Sequence, residues 1–143
     1  MPAEPLTVHA SAVSIDGRGV LVTGRSGAGK SSLALELIAL GAELVADDRV
    51  ELVSDGAGVK MRCPTPIRGL IEARGVGLLR APAASGPIAL TLCADLDITE
   101  EERMPPARVR NFLGHDIALV HRSGMCHFAA AIIVYLRFNG RAA

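Results

Sequence analysis

The chain of 143 residues predicts an α/β fold, a mixed sheet with hairpins, in one unit spanning residues 1–143. Two observations lead there. A short apolar run, Gly19-Val20-Leu21-Val22-Thr23, enters a glycine-rich stretch that opens directly into good helix formers, Ser32 to Leu40. Further apolar runs of strand length are joined by turn signals, which mark antiparallel hairpins rather than regular alternation of strand and crossover helix. No repeat, low-complexity block or long linker divides the chain.

Taken in order, Thr7 to Ile15 reads as a strand, Asp16-Gly17 as a tight turn, and Gly19 to Thr23 as a buried strand pairing with the first. After the helix, Gly41 suits the left-handed residue beyond a helix end. Glu43 to Ala46 reads as a short strand ending at Asp47-Asp48. Val50 to Val53 and Val59 to Met61 flank Ser54-Asp55-Gly56-Ala57-Gly58, a second hairpin signal. Cys63-Pro64-Thr65-Pro66 is a loop, because proline removes a backbone donor and restricts its predecessor. Ile88 to Leu92 is a strand and Ile117 to Val120 a weaker one. Met125 to Arg137 fits either a closing helix or a buried strand, with helix preferred.

Composition excludes several classes of function. Fifteen basic and fifteen acidic residues cancel, so no bulk charge draws the chain to nucleic acid or to an anionic membrane. Aromatic residues make up 3% with no Trp, which leaves little for base stacking. No apolar run is long enough to span a membrane, and the start MPAEPLTVHAS lacks the basic-then-apolar pattern of a secretory leader, so the cytosol is the expected compartment. Cys63, Cys93 and Cys126 stand far apart without a C-x-x-C pair and read as buried thiols.

The chemistry concentrates in Gly24-Arg25-Ser26-Gly27-Ala28-Gly29-Lys30-Ser31, which fits G-x-x-x-x-G-K-[ST] at every position and lies between strand and helix as that motif requires. Glycines let the backbone wrap so that successive N–H groups point at phosphate oxygens, and the helix N-terminus adds partial positive charge. Lys30 is expected on the outer phosphates and Ser31 on Mg²⁺, with Ser32 completing the cradle of a nucleotide such as ATP. The second feature is Leu44-Val45-Ala46-Asp47-Asp48, two carboxylates at a strand end. Neighbouring strand residues point to opposite sides, so the two acids face different ways unless a turn intervenes, and they divide the work. Asp47 is the candidate base for a hydroxyl acceptor, and Asp48 takes a metal or structural role. Ile88 to Asp95, another apolar run ending in an acid, offers a competing metal-binding arrangement. His9, taken alone, is a solvated strand histidine.

The segment GRSGAGKSSLALELIALGAELVADDRVEL resembles the nucleotide-binding part of the HPr kinase/phosphorylase family, and Glu72-Ala73-Arg74-Gly75-Val76-Gly77 resembles its second signature, Glu-x-Arg-Gly-x-Gly. The likeness covers Val8 to Leu79. It implies a P-loop kinase domain related to phosphoenolpyruvate carboxykinase, here as a short form without the upstream domain of long members. It also implies an ATP- and Mg²⁺-dependent serine kinase acting on the phosphocarrier HPr or a nitrogen-branch homologue, assembled as a homo-hexamer. By the same resemblance His9 joins the active site, Asp47 is the base, Asp48 has a metal or structural role, Glu72 lies near Mg²⁺, and Arg74 binds phosphate or a carboxylate. Reversibility then lets one base serve attack by inorganic phosphate on phosphoserine, which releases pyrophosphate.

One departure bears on that reverse step. Long members carry Arg-Pro-Gly-Arg-Asn before the last apolar segment, whereas this chain has Arg122-Ser123-Gly124-Met125-Cys126 and lacks the second arginine. Either Arg122, Arg108 or Arg110 compensates, or charge stabilisation during phosphorolysis is weaker in this chain. Two other readings stand beside the kinase: a P-loop kinase for a small hydroxyl metabolite, and a nucleotide-sensing module without transfer chemistry.

Overall fold

The strand that feeds the glycine-rich loop lies inside the sheet, where both its edges are paired. In the computed structural model, which describes residues 4–142, this strand is β3 (Arg18–Thr23). It runs antiparallel to β2 (Ser11–Ile15) and parallel to β9 (Ile88–Thr99). Beyond β2 comes β4 (Glu43–Ala46). On the far edge of β9, its N-terminal end pairs with β6 (Val59–Arg62), which leads to β5 (Val50–Ser54) and β1 (Leu6–Val8). The C-terminal half of that edge pairs in parallel with β11 (His115–Arg122), whose outer partner is β10 (Arg108–Phe112). A separate hairpin, β7 (Leu70–Ala73) and β8 (Gly77–Arg80), carries the second signature. The helices are α1 (Lys30–Ala39) and α2 (Phe128–Arg137).

Alternation along the central strands sorts the core into two clusters. Val20 and Val22 face α1 and α2, meeting Leu33, Leu37, Ile132 and Leu136. Leu21 and Cys93 point the other way and pack with Leu52, Met61, Phe112 and Ile117 from the hairpins. In α2 the buried residues Ala129, Ile132, Ile133 and Leu136 recur at helical spacing. That period decides for helix over strand at the C-terminal apolar segment.

Several expectations change in detail. The first strand is interrupted at His9 and Ala10: β1 pairs with β5 at the sheet edge, whereas β2 sits between β3 and β4, so the chain must bend to change partners. Thr65–Ile67 forms one 3₁₀ turn within the proline loop. The strand placed at Ile88 to Leu92 continues to Thr99, and the weak strand at Ile117 to Val120 extends to His115–Arg122. Both the β7–β8 hairpin and β10 escape sequence reading. The β10–β11 turn is Leu113-Gly114 with both residues at positive φ, and a leucine there conceals a hairpin that Asn-Gly would announce. The expectation of three buried thiols is corrected as well: Cys93 is buried and Cys63 half-buried, and burial raises both thiol pKa values, but Cys126 is exposed.

Asp95, the competing metal acid, is engaged elsewhere. Arg110 reaches across from β10 and donates to its Oδ2 at 2.7 Å, while the Asp97 N–H donates to its Oδ1. Burial on its own raises the Asp95 pKa, yet the hydrogen bonds from Arg110 and the Asp97 amide outweigh it and hold the carboxyl below its ordinary value. A carboxyl depressed in the folded state stabilises the fold above its unfolded pKa, and the gain disappears as pH falls through the folded value. Asp95→Asn is therefore expected to lose about 1–3 kcal/mol in urea unfolding at neutral pH, discounted for the partly exposed Arg110, with the gap to wild type closing in acid. An equal gap at both pH values would contradict this role.

Candidate active site

The loop between β3 and α1 owes its shape to glycines. Gly27 and Gly29 sit at φ +84° and +102°, a region costly for residues with a Cβ, and Gly29 is the cap from which Lys30 starts the helix. The Lys30 ammonium folds back to donate to the carbonyls of Gly24 and Arg25, at 2.8 and 3.0 Å. Its charge thus lies along the inner lip of the loop. Arg122, at the end of β11, donates to the Ala28 carbonyl and, at 3.0 Å, to that of Leu96, bracing the loop against β9. Asp97 holds the other end by accepting the Arg25 N–H at 3.0 Å.

Below the loop lies Asp47. Its Oδ1 accepts both the Ser11 and the Ser31 hydroxyls, each at 2.7 Å, and its Oδ2 accepts the Glu72 N–H at 3.4 Å. One carboxylate therefore joins β2, the start of α1 and the β7–β8 hairpin. Asp47 is 8% exposed and does not line the cavity in front of the loop. Asp48 does. It sits at φ +70°, in a tight turn closed by the Arg49 N–H donating to the Asp47 carbonyl at 2.8 Å. An aspartate tolerates the left-handed region better than most side chains, and the turn brings the second acid out to solvent, with 74% of its side chain exposed.

Asp47, the acid expected to face an acceptor, lies behind the wall of this cavity. Two hydroxyls and an amide already occupy its oxygens, whereas Asp48 opens into a cavity of about 290 Å³ together with Lys30, Ser31, Glu72 and Arg74. Of the loop residues expected to hold phosphate, Ser26, Gly27, Gly29, Lys30, Ser31 and Ser32 line this cavity. Gly24, Arg25 and Ala28 stand behind it: their carbonyls take the bonds from Lys30 and Arg122. His9 stands beside Asp48, with Nδ1 at 3.9 Å from its Oδ1, both side chains largely in solvent. Ser11, also on the cavity wall, was not a candidate from sequence. Its signal is slight, a serine opening the fully buried strand SAVSI.

The donor set suits a hard divalent cation. Ser31 donates its one proton to Asp47, so its oxygen lone pairs remain for the cavity side, where Asp48 and Glu72 add carboxylate oxygens. Among the described residues no group of three or more His, Cys, Asp or Glu is placed to hold a metal ion.

Comparison with known proteins decides the family. Residues 2–99 match the model of the HPr Serine kinase C-terminal domain. The chain belongs to that family. It is 44% identical over 97 residues to the HPr kinase/phosphorylase of Alkaliphilus metalliredigens, covering 67% of this chain and 31% of that protein. It is 53% identical over 78 residues to that of Bordetella pertussis, covering 54% of this chain and 25% of the relative. The chain thus spans a third or less of the length of these curated relatives. Among solved structures, the Hpr(Ser) kinase/phosphatase from Coxiella burnetii superposes with a TM-score of 0.76 at 28% identity, covering 92% of this chain and 94% of that one. The α/β fold of the HPr kinase C-terminal domain is therefore the fold of this chain. Among the described residues no helix is long and apolar enough to cross a membrane.

Removing the Asp47 carboxylate strands the Ser11 and Ser31 hydroxyls and the Glu72 amide. Asp47→Ala is expected to cost roughly 1–3 kcal/mol in chemical denaturation. Ser11→Ala removes a single donor and is expected to cost less; equal losses in the two variants would show that Asp47 does not hold the three elements together.

Proposed function

We propose that this chain transfers a phosphoryl group from the Mg²⁺ complex of ATP to a serine hydroxyl of the phosphocarrier HPr or a homologue, and that Asp48, not Asp47, is the base. The supporting observation is the geometry of the cavity: Asp48 opens into it beside Lys30, Ser31, Glu72 and Arg74, while Asp47 is withdrawn behind Ser31. The substrate and the cytoplasmic, hexameric setting come from the family resemblance, with residues 1–143 taken as the kinase domain.

In the proposed reaction the serine oxygen attacks the γ-phosphorus as the bond to the β-phosphate oxygen breaks. The hydroxyl proton passes to the Asp48 carboxylate, and ADP and phosphoserine result. Loop amides from Ser26 to Ser32 hold the phosphates, and Lys30 swings from its carbonyl partners onto the outer phosphate. Arg74 offers its guanidinium to the same charge from the β7–β8 hairpin, and His9 orients Asp48. Ser31 and Glu72 would hold Mg²⁺, with Asp47 fixing the Ser31 rotamer, and the cation would supply charge neutralisation for the phosphates.

The forward direction dominates in this reading. Arg110 is committed to Asp95, Arg108 to Glu100 at 3.3 Å, and Arg122 to the Ala28 and Leu96 carbonyls. None of the three lines the phosphate cavity to replace the arginine missing after Gly124.

Phosphate transfer from ATP to purified HPr is the test. Asp48→Asn is expected to lower the rate by roughly 10²- to 10⁴-fold with nucleotide affinity retained, whereas Asp47→Asn weakens Mg-nucleotide binding through Ser31. Full transfer by Asp48→Asn would remove the base assignment. Run backward with phosphoserine-HPr and inorganic phosphate, the wild-type chain is expected to be much slower than forward, and equal rates would overturn the argument from the missing arginine.

A further inference from the structure

One residue on the wall of the phosphate cavity, Ser11, has no role in the transfer described above. It opens β2 on the same face as Val13 and Ile15, which pack in the core with Leu33 and Leu37 of α1. At 1% exposure, a hydroxyl in that apolar row is tolerated only when it is paired. Its proton goes to the Oδ1 of Asp47, the oxygen that also accepts the Ser31 hydroxyl, each at 2.7 Å.

Two hydroxyls meeting at one carboxylate oxygen leave a definite pattern of donors and acceptors. Each hydroxyl has a single proton and two lone pairs, so both serines spend their proton on Asp47 and turn only lone pairs elsewhere. Their own oxygens are near neighbours, and both residues line the cavity. A second acceptor beside Ser31 does nothing for a phosphate, whose oxygens also accept. It suits the water of a hard cation, because Mg²⁺ keeps several waters and takes few oxygens from protein. Resting on the proposed Mg²⁺-dependent transfer, we infer that Ser11 is a positioning residue of the cation site: Ser31 binds the cation, and the Ser11 oxygen accepts a hydrogen bond from one of the cation's water molecules. Asp47, by taking both protons, leaves both serine oxygens as acceptors for one hydrated ion. An apolar residue at this position would continue the face of Val13 and Ile15 but would leave that water without its acceptor.

The test uses Mn²⁺ as the probe, followed by electron paramagnetic resonance in its complex with the full chain and ADP. Affinity for ADP alone is measured separately by calorimetry with EDTA present. Ser11→Ala and Ser11→Val are expected to weaken Mn²⁺ binding by about tenfold or more, the usual scale for losing a partner of a metal's outer shell, with metal-free ADP affinity unchanged. Ser11→Thr, which matches valine in shape but keeps the hydroxyl, is expected to stay within about twofold of wild type. Wild-type Mn²⁺ affinity in Ser11→Ala, equal losses in Ser11→Val and Ser11→Thr, or an equal fall in metal-free ADP affinity would overturn the role of Ser11 and leave the transfer reading intact. Failure of the wild-type chain to bind Mn²⁺ and ADP at all would overturn the transfer reading, and this role with it.

Discussion

The site depends on one buried carboxylate. Asp47 accepts hydroxyls from Ser11 and Ser31 at 2.7 Å and the amide of Glu72, so the sheet, the first turn of α1 and the β7–β8 hairpin are joined at a single side chain. A buried charge is tolerated only when its lone pairs are satisfied, and here each partner is itself a part of the site. The bond to Ser31 fixes the direction of the hydroxyl at the mouth of the phosphate loop. The bond to the Glu72 amide draws the second signature, with Glu72 and Arg74, up to the same cavity.

The adjacent residue stands on the open side of the arrangement. Alternation along a strand sends consecutive side chains to opposite faces, which would leave one of two neighbouring acids pointing away. At Asp48 the backbone leaves the strand with φ +70°, and the second acid turns out into the cavity. The strain of that conformation is of the order of 1 kcal/mol for a residue of this kind, and the Arg49-to-Asp47 backbone bond and the Ala10-to-Asp48 bond hold it in place. One acid is engaged by its neighbours and the other lies open to the cavity. A second layer of bracing surrounds the loop: Asp97 and Arg122 grip its two ends, and Arg110 ties Asp95 to the outer strand.

Much of this was legible in the sequence, for identifiable reasons. The phosphate loop is local, with its glycines, lysine and serine contiguous, so strand, loop and helix follow from the motif and its flanks. The pairing of β2 with β3 and of β5 with β6 was likewise marked by short turns. What escaped was long-range or disguised. Ser11 joins the site across 36 residues, and nothing in SAVSI marks it as polar machinery. The β10–β11 hairpin turns on Leu113-Gly114, and Arg108-Val109-Arg110 has no apolar face to declare a strand because its arginines serve Glu100 and Asp95. The different placement of Asp47 and Asp48 turned on a single positive φ, which composition does not encode; the sequence showed that two acids were present and that a turn was needed for both to serve one site.

The most direct measurement is a crystal structure of this chain with Mg²⁺ and a non-hydrolysable ATP analogue. Asp47 is expected still to accept from Ser11 and Ser31, with the outer phosphate against Lys30 and the Asp48 carboxylate at the open face of that phosphate where an acceptor oxygen would approach. Asp47 swung round onto the outer phosphate, with Asp48 left in solvent, would contradict it.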